Sequence, residues 1–128
     1  MNFHGTALLV DDEAQIRKYV GLILRQLGAP NLIEATNGEE AIAAYQREAP
    51  DLVLLDVNMP VMNGLETLRK LREIDPNCVV IMLTSLTNRQ TVEEALELGA
   101  ANYIRKDTPK DEITKALAET IDACFETK

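Results

Sequence analysis

Four apolar runs in the sequence each end at polar residues that could handle phosphate or a metal ion. The first run ends at Asp11 and Asp12, the second at Asp56, the third at Thr84 and the fourth at Lys106. If the runs are strands of one parallel sheet, their carboxyl ends lie along a single edge, where open α/β sheets bind their ligands. We therefore expect three carboxylates, a hydroxyl and an ammonium group to converge.

The three acids predict a divalent metal site. Carboxylates gathered at one edge repel one another unless a cation or protons compensate their charge. Mg²⁺ prefers oxygen ligands, accepts one or two protein carboxylates and keeps room for waters and substrate phosphate. An Asp after an apolar run is also commonly a helix N-cap, and Asp12 is placed to cap the first helix. Because all three acids follow predicted strands, we favour the metal site.

Asp56 is the predicted nucleophile of this site. A carboxylate attacks phosphorus to give an aspartyl phosphate once positive groups offset the charge that it faces. Lys106 would supply a positive charge, and Thr84 a hydroxyl donor for a phosphoryl oxygen. The alternatives are a solvated lysine before Asp107 and a β-branched residue that closes a strand. His4, the only histidine, is expected to be a tail residue, so the phosphoryl donor must be another molecule.

Length and composition favour one soluble domain that spans residues 1–128, with no output domain. The net charge of -8 argues against binding to nucleic acid, because such proteins neutralise phosphates with clustered Lys and Arg. Cys78 and Cys124 lack the close spacing of a metal or redox pair, and we expect both to be buried thiols. No apolar stretch approaches the roughly 20 residues that span a bilayer, and no signal peptide precedes the first strand. The expected location is the cytoplasm, without membrane contact.

Short apolar runs alternate with amphipathic stretches along the chain, which predicts βαβ units. Strands are expected at 6–10, 31–35, 51–55, 78–83 and 101–105, the second being an edge strand because it is short and polar. Helices are expected at 14–27, 39–48, 64–74 and 89–98, with a last one that starts at Pro109 after Thr108. The predicted buried faces are Ile16, Val20, Ile23, Leu24 and Leu27; then Leu65, Leu68, Leu71 and Ile74; and finally Ile113, Leu117, Ile121 and Cys124.

The segment from Asp56 to Gly64, Asp-Val-Asn-Met-Pro-Val-Met-Asn-Gly, is the most specific stretch of the chain. It resembles the phosphoacceptor loop of bacterial response-regulator receiver domains, in which Asp, two residues, Met-Pro and a later Gly recur. The resemblance covers essentially the whole chain and includes, in the family's order, Asp11, Asp12, Thr84, Tyr103 and Lys106. It implies an α/β, flavodoxin-like fold, with a doubly wound five-stranded parallel sheet of order 2-1-3-4-5 and five helices.

The resemblance also implies the chemistry of the site. Asp56 accepts a phosphoryl group from the phosphohistidine of a histidine kinase or phosphotransfer protein. Asp11 or Asp12 holds Mg²⁺ together with Asp56, and the backbone carbonyl of Asn58 completes the protein ligands. The chain would then be a two-component response regulator of the single-domain, chemotaxis type.

A conformational switch is implied as well. In the family the residue at the Thr84 position moves inward, and that at the Tyr103 position follows from an exposed to a buried rotamer. This movement repacks the face made by the fourth helix, fifth strand and fifth helix, where a downstream protein binds. Val92, Leu96, Tyr103 and Arg105 are the candidate contacts on that face, and the chain is expected to be a monomer. A phosphorelay intermediate, a phosphate sink and an excised receiver are alternatives.

Two positions distinguish this chain from many receivers. Asp107 follows Lys106 where the family usually has Pro, commonly after a cis bond. A cis bond before a residue other than proline costs about 2.5–4 kcal/mol, so we expect a trans bond and an altered loop. Leu86, two residues after Thr84, is apolar where many relatives are polar. We hypothesise that it shields the acyl phosphate from water and slows its hydrolysis.

Two other classes of function compete with the signalling module. Haloacid-dehalogenase-like phosphatases have an Asp-x-Asp pattern whose second Asp is a general acid, but the corresponding residue here is Asn58. A flavodoxin relative would need hydroxyls and free amides after the first strand, where Asp11, Asp12 and Glu13 instead place negative charge. We therefore predict a signalling protein that is not an enzyme, apart from slow loss of its own phosphoryl group.

Overall fold

Strands and helices alternate along the chain, all within two residues of their predicted bounds. The computed structural model describes residues 5–29, 31–59 and 62–125. His4 and Pro60 of the Met-Pro motif therefore lie outside the described residues. The strands are β1 Thr6–Val10, β2 Asn31–Ala35, β3 Leu52–Leu55, β4 Val80–Thr84 and β5 Asn102–Arg105. The helices are α1 Ala14–Gln26, α2 Gly38–Glu48, α3 Gly64–Ile74, α4 Arg89–Glu97 and α5 Lys110–Phe125.

The strands form one parallel sheet in the order β2-β1-β3-β4-β5, as the resemblance implied. β2 lies at an edge, which confirms the prediction made from its polarity. Val10 at the end of β1 pairs with Leu55 at the end of β3, and Leu55 pairs with Met82 of β4. This register brings the carboxyl ends of β1 and β3 side by side, with the end of β4 next to them.

Helices cover both faces of the sheet, and alternate strand residues enter two apolar cores. Under α1 and α5 lie Leu9, Leu54, Ile81 and Leu83 from the strands, with Val20, Ile23, Leu24, Ile113, Leu117 and Ile121 from the helices. Under α2, α3 and α4 lie Leu8, Val10, Val53, Leu55, Val80 and Met82, with Ala41, Ala44, Tyr45, Leu68, Leu71 and Ala95. Because both faces are covered, the central strands are apolar at consecutive positions.

Two predicted core residues are exposed, and both lie at helix ends. Ile74 is the last residue of α3, and its side chain is exposed rather than buried. Cys124 is also exposed, which corrects the expectation of two buried thiols; Cys78 is buried as predicted. The buried residues Ile113, Leu117 and Ile121 recur every four residues, and the next position in that series is Phe125, which packs against the core in place of Cys124.

Asparagine side chains begin the three helices that follow β2, β3 and β4. Asn37, Asn63 and Asn88 each accept a hydrogen bond from the main-chain N–H three residues later, at 2.9–3.0 Å. Gly28 and Gly99 adopt positive φ angles of 102° and 100° after α1 and α4, as expected of helix C-terminal glycines. No helix in the described ranges combines the length and apolar character that crossing a membrane requires.

Candidate functional site

The ends of β1 and β3 bring Asp11 and Asp56 together at the predicted edge. The Asp56 N–H donates to the Val10 carbonyl at 3.1 Å, which extends the β1–β3 pairing into the site. The two side chains are almost fully buried, with exposed fractions of 4% for Asp11 and 2% for Asp56, whereas Asp12 is exposed. One carboxylate oxygen from each of the three acids lies within 4.8 Å of the others.

The two buried carboxylates are oriented in the same way by the main chain that follows them. Asp11 Oδ1 accepts the Glu13 N–H at 2.9 Å, and Asp56 Oδ1 accepts the Asn58 N–H at 3.2 Å. Short Asp side chains commonly bond to the backbone two residues later in this way. The turn after each strand therefore fixes one oxygen, Oδ1, and leaves the other, Oδ2, for a further partner.

Lys106 lies between these two free oxygens. Its Nζ is 2.7 Å from Asp11 Oδ2, 3.0 Å from Asp56 Oδ2 and 3.1 Å from Glu13 Oε1. The side chain is only 12% exposed. Its main-chain N–H donates to the Thr84 carbonyl at 3.0 Å, so β4 positions the residue after β5 ends.

The ionisation of the site reflects burial opposed by this ion pairing. Burial raises the pKa of Asp11, and the nearby charge of Asp56 adds to that, while Lys106 and the Glu13 N–H act in the opposite direction. Burial alone would lower the pKa of Lys106, but its bonds to Asp11, Asp56 and Glu13 outweigh burial and raise the pKa above its usual value. Lys106 is therefore held firmly in its charged form.

Gly64 fixes the chain that follows Asp56. Its N–H donates to the Val57 carbonyl at 2.9 Å. A Cβ at this position would lie 2.1 Å from the Asp56 carbonyl oxygen and 2.7 Å from the Val57 Cα. The start of α3 thus packs directly against the backbone of the acidic residue, at a separation that excludes every side chain.

A chain of hydrogen bonds leads from the site to the surface through Leu86. The buried Thr84 hydroxyl oxygen accepts the Leu86 N–H at 3.2 Å. The Tyr103 hydroxyl donates to the Leu86 carbonyl, and the half-buried Tyr103 ring packs against the core. Because a hydroxyl has one hydrogen and two lone pairs, Thr84 still has its O–H hydrogen to donate elsewhere.

Comparison with known proteins assigns a family to this arrangement. Residues 7–118 match the response regulator receiver domain. The chain belongs to this family. Receiver domains are generally signalling proteins, and they bind Mg²⁺ at an aspartate cluster such as that of Asp11, Asp12 and Asp56.

Similar receivers occur alone and in longer regulators. The chemotaxis protein CheY of Thermotoga maritima is 36% identical over 110 residues, which are 86% of this chain and 92% of that protein. The nitrate/nitrite response regulator NarL of Escherichia coli is 40% identical over 116 residues, which cover 88% of this chain and 53% of NarL. A crystal structure of a CheX–CheY–BeF₃–Mg²⁺ complex from Borrelia burgdorferi superimposes with a TM-score of 0.85 at 30% identity, covering 95% of this chain and 90% of that one.

The structure thus gathers all the predicted site residues at one edge, apart from Tyr103, which reaches that edge through Leu86. The prediction of a trans bond after Lys106 is confirmed, since no cis peptide occurs among the described residues. Asp12 does not cap α1: the N-cap position is occupied by Glu13, whose side chain makes no capping bond. Asn58 is exposed, and its N–H donates to Asp56 Oδ1.

Two residues of the receiver site were missed by sequence reasoning. Glu13 is a third carboxylate partner of Lys106. Arg17 is largely buried; it donates from Nη1 to the Asp11 carbonyl at 2.7 Å and from Nε to Glu34 at 2.7 Å, which ties β1, α1 and β2 together. The only sequence signal for a role of Arg17 was its position in the first turns of α1, close after Asp11. Its pairing with Glu34 on β2 could be identified only from the fold.

Proposed function

We propose that Asp56 accepts a phosphoryl group from a histidine kinase or phosphotransfer protein, with Mg²⁺ bound beside it. The observation that carries this proposal is the position of Lys106, which contacts both buried carboxylates at 2.7 and 3.0 Å. A single ammonium group there offsets only part of the charge of three acids, which leaves the site suited to a second cation.

The donor set fits Mg²⁺. Asp11, Asp12 and Asp56 offer oxygens within 4.8 Å of one another, and the Asn58 carbonyl follows on the same loop. This ion takes few protein carboxylates and completes its coordination with water and phosphate. When bound it would supply positive charge to Asp56 and to the incoming phosphoryl oxygens.

The reaction at Asp56 is an in-line transfer. A carboxylate oxygen of Asp56 forms the new O–P bond while the P–N bond of the donor phosphohistidine breaks, and its electron pair returns to the imidazole nitrogen. Lys106, with its raised pKa, remains charged throughout and can pass from the Asp56 oxygen to a phosphoryl oxygen. The free hydrogen of the Thr84 hydroxyl is available to a second phosphoryl oxygen.

Phosphorylation then acts on a face made by α4, β5 and α5. Thr84, Leu86 and Tyr103 form the link, because a bond that draws the Thr84 hydroxyl toward phosphate must alter its contact with Leu86. Leu96 and Arg105 are exposed on this face and Val92 is partly exposed, so we infer that a downstream protein binds there. We further propose that the chain acts as a monomer in the cytoplasm.

Labelling with a small phosphodonor such as phosphoramidate tests this function. We expect acid-labile phosphoryl uptake that maps to Asp56, is lost in Asp56→Asn and is prevented by a Mg²⁺ chelator. Asp122→Asn is the matched control, because Asp122 is an exposed acid on α5 that does not belong to the aspartate cluster. Labelling of Asp56→Asn at the same position, or uptake that ignores Mg²⁺, would refute the proposal. Robust turnover of p-nitrophenyl phosphate would favour a phosphatase instead.

A further inference from the structure

An ion pair spans Lys106 on the solvent side of the β5–α5 loop. Arg105 Nε donates to Asp107 Oδ1 at 3.0 Å, and Arg105 Nη2 donates to Asp107 Oδ2 at 2.8 Å. Two parallel bonds of this kind fix the orientation of both groups as well as their separation. The residues on either side of Lys106 are thereby tied to each other.

The main chain restrains the same segment. The Lys106 N–H bonds to the Thr84 carbonyl at 3.0 Å, and the Thr108 N–H bonds to the Arg105 carbonyl at 3.2 Å, which closes a turn around Lys106. Arg105 and Asp107 pair across this turn with side chains that are 62% and 70% exposed, whereas Lys106 is 12% exposed and contacts the acids. The ion pair therefore occupies the outer side of the loop and Lys106 the inner side.

We propose that the Arg105–Asp107 ion pair is a positioning device that keeps Lys106 directed at Asp11 and Asp56. Within the described ranges of the chain, neither Arg105 nor Asp107 bonds to the acids, so both act through Lys106. A lysine stem has many rotamers, and small misplacements of a charged group weaken its interaction with a reacting phosphoryl group. This inference rests on the proposed function of Asp56 as phosphoacceptor.

A purely electrostatic, long-range effect of the two charges predicts a different result from the positioning role, and the two can be distinguished with single variants. Arg105→Ala removes a positive charge near the acids, and Asp107→Ala removes a negative one. If only the long-range field mattered, the two variants would change the affinity of the site for an anion in opposite directions. If the pair positions Lys106, both variants weaken the site, and the double variant is no worse than either single one.

The probe is beryllofluoride in the presence of Mg²⁺, titrated against the full chain and followed by amide NMR or calorimetry. We expect each single variant and the double variant to bind beryllofluoride about two- to five-fold more weakly than the parent. A change of this size is what the loss of one exposed ion pair typically produces. The difference should shrink at high salt, because exposed pairs are screened more than buried ones. Affinity for Mg²⁺ alone should change less than affinity for beryllofluoride, since on the proposed mechanism Lys106 would contact the phosphoryl mimic.

Two further variants keep the test independent of folding. Arg47→Ala removes another exposed Arg–carboxylate pair, with Glu48 on α2, and should leave beryllofluoride binding unchanged. The charge-swapped variant with Arg105→Asp and Asp107→Arg should recover part of the lost affinity. Effects of opposite sign in the two single variants, or parental affinity in both, would overturn the positioning role. A parent that binds no beryllofluoride and takes up no phosphoryl label would instead refute the proposed function itself.

Discussion

Lys106→Met removes the ammonium group that separates two buried carboxylates while keeping most of the side-chain volume. The parent Nζ lies 2.7 Å from Asp11 and 3.0 Å from Asp56, and these acids are almost fully buried. Without the ammonium group, two negative charges face each other in a region that water reaches poorly. We expect the free energy of unfolding to fall at neutral pH in the absence of Mg²⁺.

The size of the loss follows from the geometry. Removing one partner of a buried ion pair typically costs about 3–5 kcal/mol, because the remaining charge stays buried. Asp11 can relieve part of this by taking up a proton, since burial already raises its pKa. We therefore expect a loss of about 2–4 kcal/mol at neutral pH. A smaller loss is expected in mild acid, where Asp11, whose pKa is raised by burial, takes up a proton in the variant.

The direction of the pKa shift of Lys106 sets the pH at which the experiment is clean. A lysine whose pKa is raised by folding contributes its full stabilisation below the ordinary lysine pKa and loses it only as pH rises through the folded value. Measurements at neutral pH thus see the whole contribution of Lys106. A difference in pH dependence between parent and variant in mild acid therefore does not come from titration of Lys106 itself.

Urea unfolding of parent and Lys106→Met, with and without Mg²⁺, measures the loss in the free energy of unfolding. Lys110→Met is the matched control, because it removes an exposed lysine from the first turn of α5. Mg²⁺ should recover more stability in Lys106→Met than in the parent, since the cation then replaces a missing charge. A variant as stable as Lys110→Met at neutral pH without Mg²⁺ would refute this account of the site.

Three other substitutions test separate parts of the structure. Gly64→Ala should lower the free energy of unfolding by about 3 kcal/mol or more, because its Cβ would meet the Asp56 carbonyl at 2.1 Å, and unchanged urea unfolding would contradict that packing. Leu86→Glu should accelerate release of phosphate from the labelled protein if the leucine shields the acyl phosphate, and an unchanged rate would count against shielding. The hydroxyl of Tyr45 donates to Asp75 at 2.8 Å and, together with a main-chain N–H, lowers the pKa of that acid. Asp75 therefore stabilises the folded protein above its ordinary pKa, and this stabilisation is lost as pH falls through the lowered pKa. Tyr45→Phe should therefore unfold with a weaker dependence on acid pH than the parent, and parallel acid-unfolding curves would oppose this role.

The positions of the catalytic candidates were predictable because the fold places strand ends together. Once the apolar runs are taken as parallel strands, Asp11, Asp56 and Lys106 must share an edge, and the spacing of the phosphoacceptor loop identifies which edge. Helix bounds were predictable for a similar reason, since amphipathic periodicity and the Thr108-Pro109 start signal are local features of the sequence. These signals need only neighbours in the sequence.

Contacts that depend on the relative placement of distant elements could not be predicted in this way. Arg17 contacts Asp11 and Glu34 because α1 crosses between β1 and β2, and no local pattern specifies that crossing. Ile74 and Cys124 are exposed although both were assigned to the apolar faces of their helices. Periodicity identifies the apolar face of a helix but does not say how far along its length that face stays covered.

The link through Leu86 limits what phosphorylation can accomplish alone. Two hydrogen bonds join Thr84 and Tyr103 through this residue, and each such bond contributes about 0.5–1.5 kcal/mol net. Moving a two-state equilibrium from about 1% to about 99% requires about 5.5 kcal/mol of preference for one state. Rearranging these two bonds falls short of that, so the remainder must come from the charge interactions of the phosphoryl group with Lys106 or from a partner that binds one state. Whichever source supplies the remainder, we expect binding of the downstream target to shift the phosphorylated protein further toward one state.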